Sequence, residues 1–390
     1  MDFELTSEQL TMRDTARRVV ERELAPILER HDARHALPKD AFLQILQILA
    51  PLRLTAPRIP EEAGGAGITM LDYGIIFEQL PPQVGMNLLS HEGCIGRLYA
   101  ECSPAQKSRF LPDLIAGRKI GCTGSTEPET GSDPRGIKTR LVRDGTKLRL
   151  HGRKMWITNA SVCDIMIVTC IDAREPKSKP SVIKAVVERG MAAFETREIE
   201  TIGLQQGYLG EALFDGCEIP QDNLIESAEG GTAILKKSWA VNRPLVGLQA
   251  VHLAQSALDM ALEYARLRKA FGKAIAGHQL IQKNLSDMAT AVMSSRLLCY
   301  HALAIIDRGA PAEGASAMAK RHAQNACEQV VWEAMNILGA LGLAREAKLE
   351  RMYRDARMLS IPDGTNELLA LIHGRELTGV GAFRDAPAAR

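Results

Sequence analysis

The sequence predicts an α+β multidomain fold in three consecutive blocks. These are an N-terminal helical domain (residues 1–119), a middle β domain (residues 120–228) and a C-terminal helical bundle (residues 229–390). Three observations predict it. Apolar residues recur at helical spacing in the first block and again from about residue 231. Between them the chain breaks into short apolar runs parted by Gly and Asp, the pattern of strands. The 390 residues, 46% hydrophobic and 24% charged, can fill several structural units around a large interior.

The first helix is announced by Thr6 and Gln9, a T-x-x-Q capping box, followed by Leu10, Ala16, Val19, Val20, Leu24, Ile27 and Leu28 at helical spacing. Further helical pattern covers residues 39–50, 70–80 and 106–116, and the Pro- and Gly-rich stretch 57–67 reads as a loop. In the middle block Leu148, Leu150, Gly152, Lys154 and Trp156 alternate with charged and polar neighbours. Residues 165–171, 181–188 and 211–219 read as further strands of a small barrel or sandwich. Three long helical segments follow at 232–268, 277–307 and 311–341, with Gly309 closing one helix and Pro311 suited to the first turn of the next. With a last helix near residues 367–377 they make a four-helix bundle, after which the tail from Gly381 frays.

Composition narrows the function. Forty-eight basic and 47 acidic residues leave a net charge of +1, which argues against a nucleic-acid groove or a polybasic membrane patch. Aromatic residues, at 4%, are too sparse for base-stacking platforms. None of the eight cysteines forms a C-x-x-C pair, so reduced, mostly buried thiols in the cytoplasm are expected. The N-terminus lacks a signal-peptide pattern, and no apolar run approaches the roughly 20 residues of a membrane span. His31 and His35 share a spacing of four but have no third ligand nearby, so no metal is expected.

Four stretches carry candidate chemistry, each with a plainer reading beside it. Ser125-Thr-Glu-Pro-Glu-Thr-Gly-Ser-Asp133 is a polar turn, or a loop offering hydroxyls and backbone N–H groups to a phosphate. Trp156 and Thr158 share one face of a strand, as core and terminator or as the edge of a ring-binding site. Arg266 to Gly272 places cations at a helix end, where they meet the helix dipole or, through Arg268, a phosphate. Asp363, between Pro362 and Gly364, is a turn or capping carboxylate, or a general base on a tight loop.

Taken together and in this order, these stretches resemble the acyl-CoA dehydrogenase family over nearly the whole chain. The first is similar to its T-E-P-x-x-G-S-D signature, and Lys154-Met-Trp-Ile-Thr-Asn-Ala160 to its flavin-contacting strand. Residues 201–204 and 218–224 resemble its strand pair, Glu263 to Lys273 its R-x-x-F-G segment, and residues 351–357 and 363–367 its C-terminal signature. The resemblance implies a middle β-barrel between two helical domains and one FAD per subunit. It also implies a homotetramer built as a dimer of dimers, an acyl-CoA substrate and an electron-transfer flavoprotein as electron acceptor. Carried over by position, Thr126, Ser132, Trp156 and Thr158 meet the flavin and its phosphates. Arg268, Phe271, His278 and Gln279 reach FAD from a neighbouring subunit, Asn336, Gly339 and Ala340 lie on the adenine side, and Thr365 and Glu367 close the site. Ser132, Arg243 and Gly364 face the substrate. A carboxylate takes the α-proton of the thioester while hydride leaves the β-carbon for flavin N5, and a backbone N–H beside the base helps hold the developing enolate.

The chain departs from the family pattern at the base. Pro362-Asp-Gly-Thr365 stands where members commonly read Y-E-G-T, so Asp363 is the expected base, one methylene short of the usual Glu. The E-R-P segment that carries the base in some members is Asn242-Arg-Pro here. Glu92 is a second base candidate, for a proton beyond the α-position. An acyl group with a ring or branch is the expectation. Two alternatives are a nitroalkane-oxidase-like flavoprotein, which also uses Asp but whose partner arginine is Ala370 here, and a non-catalytic flavin-binding assembly protein.

Overall fold

The computed structural model describes residues 4–133, 136–175, 181–225 and 231–382, and side chains for all of these except 231–237. The predicted tail thus lies mostly outside the described residues. Helix α1 (Ser7–Val19) starts on the expected capping box, with Thr6 and Gln9 each satisfying the other's backbone N–H. The helix then widens into one π turn, Val20–Leu24, before α2 (Ala25–Glu29). Pro26 accounts for this, since it lacks an N–H and its ring crowds the preceding turn. His31 and His35 fall beyond the helix end and share no helix face. Next come α3 (Lys39–Leu49), α4 (Met70–Phe77), α5 (Pro82–Glu101) and α6 (Pro104–Ile115). Periodicity did not predict α5. It is buried on nearly every side, so it has no polar stripe to set the period, and Gly85, Gly93 and Gly96 interrupt its pattern.

The middle block is one sheet of β1 (Gly121–Gly124), β2 (Arg140–Asp144), β3 (Lys147–Thr158), β4 (Ile165–Ala173), β5 (Ser181–Glu188), β6 (Phe194–Glu198), β7 (Leu209–Glu218) and β8 (Leu224–Ile225). The strand order is β6-β7-β3-β2-β4-β5-β8, with β1 on β4. Strand β4 is shared: β1 runs parallel to its first half and β2 to its second. Leu150, Val168, Ala185 and Phe214, from four different strands, meet in one cluster, so the sheet curls round its own core. The opposite faces of β4 and β5 pack Ile167 and Val186 against Ile95, Leu98 and Phe110 of α5 and α6.

The expected alternation along β3 does not persist to its end. Register shifts between Leu150 and His151 and between Lys154 and Ile157 move the inward positions from Lys154 to Ile157. Trp156, at φ 61°, therefore faces outward with half its surface exposed, away from Leu148 and Leu150. Thr158 stays on the same outer side as Trp156.

The C-terminal block holds α7 (Gly231–Leu267), a hairpin of β9 (Lys269–Ala270) and β10 (Lys273–Ala274), α8 (Gln279–Asp307), α9 (Glu313–Leu338), α10 (Ala340–Leu343), α11 (Leu349–Leu359) and α12 (Asn366–Thr378). Helices α7, α8, α9 and α12 pack as the expected bundle. Pro311 is not in the first turn, because Ala312 (φ −127°, ψ 5°) is not helical and α9 starts only at Glu313. Two helical segments, Ser238–Leu267 and Gln279–Asp307, are long and apolar enough by length and composition to cross a membrane, contrary to the expectation from apolar runs. Interspersed alanines raise their mean hydropathy without forming an unbroken apolar run. Most of the apolar window of the first is buried inside the protein. Phe42, Tyr73 and Phe77 of the N-terminal helices join Leu248, Leu303 and Val331 of the bundle in one core. All eight cysteines are free and buried.

Candidate active site

Backbone bonds assemble the first part of the site. The N–H of Met155 donates to Thr126 O at 3.0 Å, which brings the Thr126 loop beside Trp156 and Thr158. Glu127 anchors that loop from inside. It accepts from Lys154 Nζ at 2.8 Å and from the backbone N–H groups of Lys138 (2.7 Å) and Thr139 (2.9 Å). Burial raises the Glu127 carboxyl pKa, but the hydrogen bonds from Lys154 and Thr139 outweigh it and the net shift is downward. Ser132 is exposed on the same loop.

The second part is the loop between α11 and α12. Asp363 (φ 55°) and Gly364 (φ 110°) are successive left-handed residues, a conformation Asp tolerates better than most side chains. Thr365, not Asp363, caps α12 by accepting from the N–H of Leu368, so the capping reading of Asp363 is ruled out. Arg243 Nε donates to Asp363 O at 3.1 Å, and fully buried Lys320 donates from Nζ to Gly364 O at 2.9 Å. The loop is clamped by two cations through its own carbonyls. Burial raises the Asp363 pKa, while Arg243, Lys320, Arg97 and a hydrogen bond from Asn242 pull against that rise. Asn242 thus stands beside Asp363, in the Asn242-Arg-Pro segment that corresponds to the E-R-P segment of the resembling family.

Helix α5 links the two parts. Ser90 Oγ donates to Thr158 O at 3.1 Å, and Arg97 lies two turns further on, about 10 Å along the axis, within electrostatic reach of Asp363. Between them Gly93 and Gly96 are half-exposed on an otherwise buried helix. His91 holds the helix to the sheet. Its Nδ1 accepts from the Gly121 N–H and its Nε2 donates to Leu114 O, both at 3.0 Å. Glu92 is buried in a pair with Arg58, whose Nε and Nη2 reach Oε2 at 2.9 and 2.5 Å. Burial pushes its carboxyl up against the pull of Arg58.

The hairpin and α9–α10 residues stay apart from these two groups within the single chain, whereas Glu367 bonds Thr365 of the second. Phe271 (φ 53°) tips the β9–β10 hairpin with 95% of its surface exposed, its ring centre 6.0 Å from that of His278 in an edge-to-face pair, and Arg268 and Gln279 are exposed beside it. Asn336 and Ala340 flank the α9–α10 break, where Gly339 (φ 60°, ψ −133°) takes a conformation that favours glycine. Glu367 is exposed in the first turn of α12. Sequence reasoning missed Arg97, Lys320 and the Glu127–Lys154 pair. For Lys320 a signal existed: it falls at core spacing with Ser316, Ala323 and Cys327 on the buried face of α9.

The fold and this loop are those of a flavoenzyme acting on thioesters, and comparison with known proteins agrees. The N-terminal, middle and C-terminal domain models of acyl-CoA dehydrogenase match residues 6–118, 122–217 and 229–378. The cyclohex-1-ene-1-carbonyl-CoA dehydrogenase of Geobacter metallireducens is 34% identical over 380 residues, covering 96% of this chain and 98% of that protein. A chain from the structure of an electron transferring flavoprotein of Acidaminococcus fermentans superposes with a TM-score of 0.89 at 30% identity, covering 97% of this chain and all of that one. A glutaryl-CoA dehydrogenase from Mycobacterium smegmatis in complex with FADH2 superposes with a TM-score of 0.89 at 25% identity, covering 97% of each chain. The chain belongs to the acyl-CoA dehydrogenase family and is an FAD-dependent enzyme of that class. The residues present fit such a cofactor: an outward indole can lie against a flat ring, and the polar loop tied beside it, held from inside by the Glu127–Lys154 pair, offers hydroxyls and N–H groups to phosphate.

Proposed function

We propose that the protein dehydrogenates an acyl-CoA thioester with a ring or branch in its acyl group, using Asp363 as the base that removes the α-proton. The observation carrying this reading is the Asp363 loop: a half-buried carboxylate in a left-handed conformation, relieved of capping duty and clamped by Arg243 and Lys320. FAD, when bound, supplies the two-electron acceptor. Desolvation raises the pKa of Asp363 toward the range where a base works well at neutral pH, while the surrounding cations keep it ionisable. The two clamped carbonyls fix the peptide planes of the loop, so its remaining N–H groups are oriented before substrate arrives. Gly93 and Gly96 of α5 leave open space, where an added Cβ would meet nothing within 4 Å, and such space suits a broad acyl group. The cyclic substrate named for the Geobacter relative supports the same reading.

A homotetramer, a dimer of dimers, belongs to this proposal. Exposed Phe271, Leu280, Trp332 and Leu343 of the C-terminal block support it, since large apolar groups on a surface mark contact sites. Electron-transfer flavoprotein is the proposed acceptor and a reducing cytoplasm the proposed location, consistent with eight free thiols. The test is anaerobic bleaching of the flavin by a panel of linear, branched and cyclic acyl-CoAs. Asp363→Asn should slow bleaching roughly 10²- to 10⁴-fold, the span of general-base contributions. An unchanged rate moves the base elsewhere, with Glu92→Gln the next variant. Rapid reoxidation by oxygen with peroxide release would make the protein an oxidase.

A further inference from the structure

Arg97 is 8% exposed, yet its Nε and Nη1 are enclosed and have no hydrogen-bond partner among the described residues. A buried guanidinium left unsatisfied is costly, and native interiors rarely keep one without a partner. The neighbouring carboxylates already have cations of their own. Glu92 is paired with Arg58 and Glu101 with Lys184, while Asp363 faces Arg243 and Lys320. Glu101, one turn along α5, attracts Arg97 without bonding it, so five cations share three carboxylates and the guanidinium Nε and Nη1 are left over. Arg97 is also placed to meet a ligand. It lies on α5 beyond the half-exposed Gly93 and Gly96, where an added Cβ would meet nothing within 4 Å, and it acts electrostatically on Asp363.

Resting on the acyl-CoA reading above, we infer that Arg97 binds a carboxylate at the far end of the acyl group, so that the preferred substrates are thioesters of dicarboxylic acids. The thioester end lies at Asp363 and the acyl chain runs along the Gly93–Gly96 wall. The second carboxylate then supplies the bidentate acceptor that Arg97 lacks, a geometry a guanidinium suits better than an ammonium. A methyl-ended acyl group in the same place leaves the guanidinium buried and unpaired.

The experiment compares ω-carboxyacyl-CoAs of graded length with methyl-ended acyl-CoAs of equal length, reading kcat/KM from anaerobic flavin reduction. The wild-type enzyme should favour the carboxylated member at one length or more. Arg97→Met should lower the ratio of carboxylated to methyl-ended kcat/KM roughly 10- to 100-fold, as expected for losing a hydrogen bond to a charged group. Arg97→Lys should fall between the two. The wild-type comparison needs no variant and stands if Arg97→Met does not fold. Methyl-ended substrates that bleach while every carboxylated partner fails, or a ratio that Arg97→Met leaves unchanged, overturns the inference and leaves the dehydrogenase reading intact. No bleaching by any thioester overturns both.

Discussion

Single buried charges do much of the work in this protein. Lys320 has no carboxylate in a salt bridge among the described residues and donates to a main-chain carbonyl of the Asp363 loop, with its pKa pushed down to about 8, first by burial. Its charge is therefore lost within an accessible pH range, and its grip on Gly364 weakens with it. The rate of flavin reduction should rise with pH as Asp363 ionises and fall again as pH passes through about 8. In Lys320→Met the falling limb should vanish and kcat should drop more than KM changes. A falling limb that persists in this variant would assign it to another group. Stability has the opposite slope. The folded pKa lies below the ordinary 10.5, so the unfolded chain holds the proton longer and Lys320 makes the fold more stable as pH rises from about 8 toward 10.5. The Glu127–Lys154 pair differs because each ion is the other's partner. Lys154→Met should strand a buried carboxylate and cost about 3–5 kcal/mol in denaturant melts, with looser flavin retention from the Thr126 loop.

Helix α5 is the element on which the site depends. One face meets the sheet through His91, another carries Ser90, Gly93 and Arg97, and its buried Glu92 is held by Arg58. His91 is neutral in the fold, since burial lowers its pKa from 6.5 to about 4 and one ring nitrogen must accept from Gly121. Above about 6.5 its contribution is complete. As pH falls from 6.5 toward 4 the unfolded chain gains a proton that the folded one refuses, and that contribution is lost. Thermal unfolding followed across this window should show Tm dropping with pH in the wild type. His91→Gln should unfold at lower temperature at neutral pH and lose part of that slope; an unchanged slope would place the titration elsewhere. The importance of α5 was hidden in the sequence, where two prolines, three glycines and burial on all sides erase the helical period. The Asp363 loop was far more legible, because Pro, Asp and Gly in succession before a capping Thr encode their own turn.

At the scale of the whole molecule, three blocks in sequence make three interiors: the first and last helical blocks share one, the sheet encloses its own, and a third lies between α5, α6 and the outer faces of β4 and β5. The β9–β10 hairpin projects from that body with Phe271 almost wholly exposed. If the proposed tetramer uses this surface, Phe271→Asp should shift the sedimentation coefficient toward smaller species and weaken flavin retention together. An intact tetramer with full flavin content would remove the hairpin from the interface. The sequence alone determined the order of helical and β blocks, the capping box at Thr6, the tight loop at Asp363 and the polar loop at Thr126, because each is written in neighbouring residues. Only the tertiary structure decided that Trp156 faces outward, that Arg243 and Lys320 clamp the Asp363 loop, and that Arg97 keeps two donors without a hydrogen-bond partner among the described residues. Those outcomes depend on a register shift and on charges brought together from residues 97, 243, 320 and 363, a convergence created by packing and carrying no local periodicity.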